Sequence, residues 1–195
     1  MEEDRLEKTL AISTSILSTM DIDTIIRKVV DSVTDEFGFE ACDVFILDEE
    51  HDNLSVRATK GYPQPLSDRV AGLAMSRENV QIRLDESKQL GRFTYLYMAD
   101  EETSAAAYYG LLHPERVGSK RMHPDDWHEL DVLYVVFEDG GGHILGFIEP
   151  DGPRNGKIPG PQLVKNLETF AELVSIALTN AKLVGALNRT VKLFR

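Results

Sequence analysis

The spacing of apolar residues changes from stretch to stretch, and the changes mark out the elements. Val132-Leu-Tyr-Val-Val-Phe137 is an unbroken apolar run between Asp131 and Glu138. Its Val, Tyr and Phe content predicts a strand buried on both faces, in the middle of a sheet. Glu138-Asp-Gly-Gly-Gly-His143 tolerates positive φ, so the chain is expected to reverse into a hairpin partner, Ile144–Glu149, with Gly146 at a bulge or close approach. Pro150-Asp-Gly-Pro153 and the segment 156–160 read as a loop. Pro161 fits a first helical position, where its missing N–H is not needed. Beyond it, Leu167, Phe170, Val174, Ala177, Ala181 and Val184 repeat every three or four residues, and Leu173, Ile176, Leu183 and Leu187 form a second stripe beside them. Such a wide apolar arc suits a helix that covers a sheet and also meets another helix.

The first half alternates in the same way. Leu6, Leu10, Leu17 and Met20, with Ile12 and Ile16 beside them, predict an amphipathic helix over 1–20. A second helix is expected to start at Asp21 or Asp23, to present Ile22, Ile26, Val29, Val33 and Phe37 on one face, and to end at Gly38. Strands follow at Ala41–Leu47 and Leu54–Thr59. Cys42, Val44 and Ile46 point one way and Asp43, Phe45 and Leu47 the other; in the second strand Leu54, Val56 and Ala58 are expected to face the helices and Ser55, Arg57 and Thr59 to face away. Leu66–Met75 and Arg77–Lys88 read as short helices and Arg92–Tyr97 as a third strand. Periodicity then fails from Met98 to Trp127, and a loop of that length in a compact domain is usually functional or mobile.

With 195 residues, of which 42% are apolar, the chain fits one domain, divided into N-terminal helices (1–37), a sheet with ligand-side loops (41–150) and a long C-terminal helix (161–195). Net charge changes the functional picture most. At −12, the chain offers no basic surface for nucleic acid or an anionic membrane. Its apolar runs fall short of a membrane span, Met1-Glu-Glu-Asp-Arg5 has the wrong charge for a signal peptide, and its one cysteine forms no internal disulfide, so a cytoplasmic location is expected.

Three stretches together, Trp127-His-Glu-Leu-Asp-Val-Leu-Tyr-Val-Val-Phe137, Gly146-Phe-Ile-Glu-Pro150 and Leu167 to Ala177 with Asn180-Ala-Lys-Leu183, resemble the second half of a GAF domain, and Ala41-Cys-Asp-Val-Phe-Ile-Leu-Asp48 resembles the first. The resemblance implies an α+β fold: a central antiparallel sheet, N- and C-terminal helices packed on one face and an irregular loop and helix region over the other. It also implies a non-catalytic sensory or regulatory module of a larger signalling protein such as a histidine kinase. A small ligand, if the module takes one, is expected on the sheet face away from the helices, against Asp43, Phe45, Arg57, Tyr95, Tyr97, Trp127 and Tyr134. Partners implied are the other domains of the parent protein and a second copy of the chain, joined through the terminal helices. The cofactor is left unknown.

The remaining candidate chemistry centres on His113-Pro-Glu115, His123-Pro-Asp-Asp-Trp-His128 and Cys42. An alternative function, a haem- or metal-bearing redox sensor or small enzyme, would use these residues. Their spacing matches no zinc signature, and the His-Pro-acid steps suit turns and caps. Bilin-binding GAF domains generally attach pigment through a cysteine in the later loop, which has none here. The GAF-like free methionine sulfoxide reductases rely on several cysteines, and one thiol cannot both attack and resolve. The Asn-Lys-x-x-x-Phe-x-x-x-Asp-Glu pattern of cyclic-nucleotide-binding GAF domains is absent, and Gly152-Pro-Arg-Asn-Gly-Lys157 lacks the spacing and hydroxyl of a phosphate loop.

Overall fold

The computed structural model describes residues 14, 16–19, 21–48, 50–100, 103–105, 108 and 110–193, with side chains as far as 187. Asp21 opens α1 (Ile22–Asp35), its carboxylate accepting from the Thr24 N–H at 2.8 Å and satisfying one of the free donors of the first turn. Gly38, at φ +83°, turns the chain out of the helix. There follow β1 (Phe39–Asp48), β2 (Asn53–Lys60), α2 (Leu66–Ala71), β3 (Ala74–Ser76), α3 (Arg77–Asp85), β4 (Lys88–Gln89), β5 (Thr94–Tyr97), a short 3-10 turn (Pro114–Arg116), β6 (Val132–Glu138), β7 (Ile144–Pro153) and α4 (Pro161–Leu193). The seven strands form one sheet in the order β3-β2-β1-β7-β6-β5-β4, antiparallel throughout.

The hairpin partner, not the long apolar run, is therefore the middle strand. The reason is its length: β7 does not stop at Glu149 but pairs with β1 as far as Phe39 opposite Pro153. Pro150 and Gly152, read as loop signals, sit inside a strand. Gly146 marks a close approach, since a Cβ there would lie 2.1 Å from the Phe45 carbonyl oxygen and 2.6 Å from the Phe137 ring.

The two sheet faces carry separate cores. On one, α1 and α4 lie over Cys42, Val44, Ile46, Leu133, Val135 and Ile148. On the other, Phe45 stacks on Phe147 at 4.4 Å with Leu54, Val56, Val80 and Leu84 around them. Leu54 and Val56 were expected under the helices, and a bulge explains their place on the opposite face. The register shifts where Val44 pairs with Ala58 but Phe45 with Val56, leaving Arg57 as the extra residue. The alternation of β2 flips there, so Ala58 packs with the helix-side core.

Leu167, Phe170, Val174, Ala177 and Ala181 of α4 are buried, whereas Ile176, Leu183 and Leu187 are more than half exposed and Val184 is 39% exposed. By length and composition the part Pro161–Leu187 could cross a membrane; its buried stripe instead covers the sheet. Of the expected first helix, Leu6, Leu10, Ile12 and Met20 lie outside the described residues, as does Phe194 at the other end and the side chain of Val191. Ile16 is buried in the helix-side core.

Candidate functional site

On the sheet face away from the helices, β2, β1 and β7 bring one row of polar side chains together. Asp43 pairs across the sheet with Thr59 on one side and with Glu149 on the other, so all three point the same way. Asp151, two residues along β7, shares that face. A cavity of about 100 Å³ opens over the row, lined also by Tyr62, Arg83 of α3, Tyr134 and, from the long loop, Tyr108 and Glu129.

Two carboxylates directly opposite each other repel, and burial adds to the penalty. Asp43 is 3% exposed. Burial pushes its carboxyl up to about 7, with the nearby Thr59 and Tyr62 hydroxyls opposing the shift. Burial also raises Glu149 well above the usual carboxylate range, helped by the charges of Asp43 and Asp151, and Asp151 to about 7, helped by Glu129. Yet Asp43 Oδ1 and Thr59 Oγ1 are buried without a hydrogen-bond partner. Asp131 on the cavity rim makes the contrast. Its carboxylate accepts from Arg121 Nη1 at 2.6 Å, from the Ala99 N–H at 3.0 Å and from the His128 N–H at 2.8 Å, and so fastens the loop to the start of β6. Arg83, the positive residue lining the cavity wall, lies with its guanidinium 5.8 Å from the Tyr97 ring centroid.

Solved structures share this architecture. A phosphoenolpyruvate-protein phosphotransferase GAF domain from Acinetobacter superposes with a TM-score of 0.61 at 14% identity, covering 94% of this chain and 98% of that one. The chain has the GAF fold. The GAF domain of a sensor histidine kinase from Pseudomonas syringae pv. tomato gives 0.60 at 11% identity over 97% and 94% of the two chains. The free methionine-R-sulfoxide reductase of Neisseria meningitidis, solved with its substrate, gives 0.58 at 12% over 92% and 91%. No family model and no curated protein matches the chain.

Of the seven residues expected around a ligand, the fold brings three, Asp43, Phe45 and Tyr134, to the cavity wall. Arg57 is placed on the opposite face, because the bulge turns it toward α1, where it pairs with Asp23 at 3.1 Å. Tyr95 and Tyr97 are half-buried against the Phe45 core beside the cavity without lining it. Trp127 is elsewhere: it packs against the helix-side core and lines a different hollow with Arg116 and Lys120. Sequence reasoning missed Tyr62, Arg83, Tyr108, Glu129, Glu149 and Asp151. The last two were visible as the continued alternation Phe147, Glu149, Asp151, had Pro150 not been taken to end the strand.

The histidine candidates are used locally. His113 pairs with Glu40 at 2.8 Å, the Nδ1 of His128 accepts from the Leu130 N–H at 3.1 Å, and His123 is exposed. Among the described residues no group of three or more His, Cys, Asp or Glu is arranged to hold a metal ion. Cys42 lies fully buried in the helix-side core, where burial pushes its thiol up and holds it protonated.

Proposed function

We propose that the chain is a non-catalytic sensory or regulatory module of a larger cytoplasmic signal-transduction protein, and that a small ligand in the acidic cavity is its input. The buried Asp43 carboxyl, whose Oδ1 has no hydrogen-bond partner, carries this reading. A desolvated acid that fills no structural role is expensive to keep, while one that meets a ligand is useful. Neighbours of the same fold from a sensor histidine kinase and a chemotaxis protein support the signalling context.

The output would pass through the helices. The cavity and the helix layer share β1 and β7, so a change in side-chain packing at Asp43 or Glu149 reaches Val44 and Ile148 on the other face within one residue. The exposed stripe Ile176, Leu183, Val184 and Leu187 of α4 is apolar and without cover in the single chain, and a second copy packed in parallel along it would bury it. At about 1.5 Å per residue α4 is roughly 50 Å long, more than one sheet needs. Native mass spectrometry of the purified chain tests both halves at once. It is expected to report a dimer that becomes a monomer in Val184→Glu with Leu187→Glu. A wild type that stays monomeric at tens of micromolar in a matched sedimentation run overturns the helix relay.

A further inference from the structure

Resting on that reading of the cavity as a ligand site, we propose that its ligand is a small organic cation bearing N–H donors, a primary ammonium ion. Three carboxyls, Asp43, Glu149 and Asp151, face one small space together with Tyr62, Tyr108 and Phe45. An acidic, aromatic-walled cavity offers a cation both charge and π-faces. An acidic cluster alone would not suffice, but a second feature points the same way. Asp43, which lines the cavity, is 3% exposed, and its Oδ1 has no hydrogen-bond partner. What that atom lacks is an N–H or O–H, which an ammonium supplies and a quaternary amine does not. The Thr59 and Tyr62 hydroxyls act on the same carboxyl and hold its pKa below what burial alone would give, but they bring no positive charge. Arg83 is the cation that competes for these acids. Its guanidinium lies 5.8 Å from the Tyr97 ring centroid and its charge opposes the rise at Glu149, but one guanidinium against Asp43, Glu149, Asp151 and Glu129 leaves the ionised cavity negative.

Protons on the carboxyls relieve the repulsion in the cavity, so a bound cation must displace them. Burial pushes the Asp43 and Asp151 carboxyls up to about 7. The titratable and charged groups that line the cavity with them are Tyr62, Arg83, Tyr108, Glu129, Asp131, Tyr134 and Glu149, and the charge of Glu40 also reaches Asp151. A group that has to be ionised for binding, with a starting pKa near 7, makes affinity rise about tenfold between about pH 6 and pH 8. Binding should therefore release protons, which calorimetry in two buffers of different ionisation enthalpy measures directly.

The test titrates the full chain with ethylammonium at about pH 6 and 8, with tetramethylammonium and acetate as comparators. Ethylammonium is expected to bind with about tenfold or greater preference for the higher pH and more tightly than tetramethylammonium. Asp43→Asn and Glu149→Gln should each weaken it at least about tenfold. Arg57→Ala, on the other face, should leave it unchanged. If acetate binds and ethylammonium does not, the cavity is a ligand site of the opposite charge and the cation inference falls. If none of the three binds by about 10 mM, ten times a millimolar Kd, both the inference and the ligand-site reading beneath it fall. Equal binding of ethylammonium to wild type and both cavity variants places it elsewhere and also overturns the proposal.

Discussion

Removing the charge at position 43 should stabilise the protein at neutral pH while leaving acid stability almost unchanged. In the folded chain the Asp43 carboxyl is pushed from its ordinary 3.8 to about 7 by burial. A carboxyl with a raised folded pKa holds its proton more tightly when folded, so it subtracts stability as pH climbs from about 4 to about 7, and the loss then levels off. At about 1.4 kcal/mol per unit, the full displacement amounts to about 4 kcal/mol, of which about 3 falls between about pH 5 and pH 8. Asp43→Asn keeps the shape and cannot ionise. Its advantage over wild type should therefore grow by about 3 kcal/mol across that window, or about 6–12 °C in Tm at about 2–4 °C per kcal/mol for a chain of this length. Thermal melts of both proteins in steps of pH read the effect. Parallel profiles, with a constant difference from acid to alkaline pH, would refute the claim that burial raises the Asp43 carboxyl.

Two further substitutions probe the frame around the cavity. Gly146→Ala drives a methyl into the Phe45 carbonyl oxygen and the Phe137 ring, at 2.1 and 2.6 Å; because one of these is backbone in the next strand, urea unfolding should show a loss of about 3 kcal/mol or more. Arg121→Ala strands the buried Asp131 carboxylate and frees the Ala99 and Asp126 carbonyls that the guanidinium also holds. A loss of about 3–5 kcal/mol is expected, with faster amide exchange from 98 to 130, and Arg121→Lys should recover little because one ammonium cannot fork across both oxygens.

Periodicity alone was enough for the elements with a single strong face. The 3-4 spacing from Leu167 to Ala181 could only be a helix lying on a core. Asp21 and Gly38 bounded α1 through local chemistry that needs no tertiary partner. Alternation in β1 likewise separated Cys42, Val44 and Ile46 from Asp43, Phe45 and Leu47, and so put Asp43 on the cavity side.

What the sequence could not carry was anything set by a neighbouring strand. The bulge at Arg57 reverses the faces of β2, and it exists because Val44 pairs with Ala58 while the next residue pairs with Val56, a mismatch between two strands that neither contains by itself. Pro150 and Gly152 are loop residues by their own preferences, yet β1 runs far enough to pair with them, and only that pairing sets Glu149 opposite Asp43. The cavity is therefore a tertiary product. Its acids are ordinary carboxylates along the chain, and their high pKa values and unmet hydrogen-bonding capacity arise when the sheet packs them side by side, out of water.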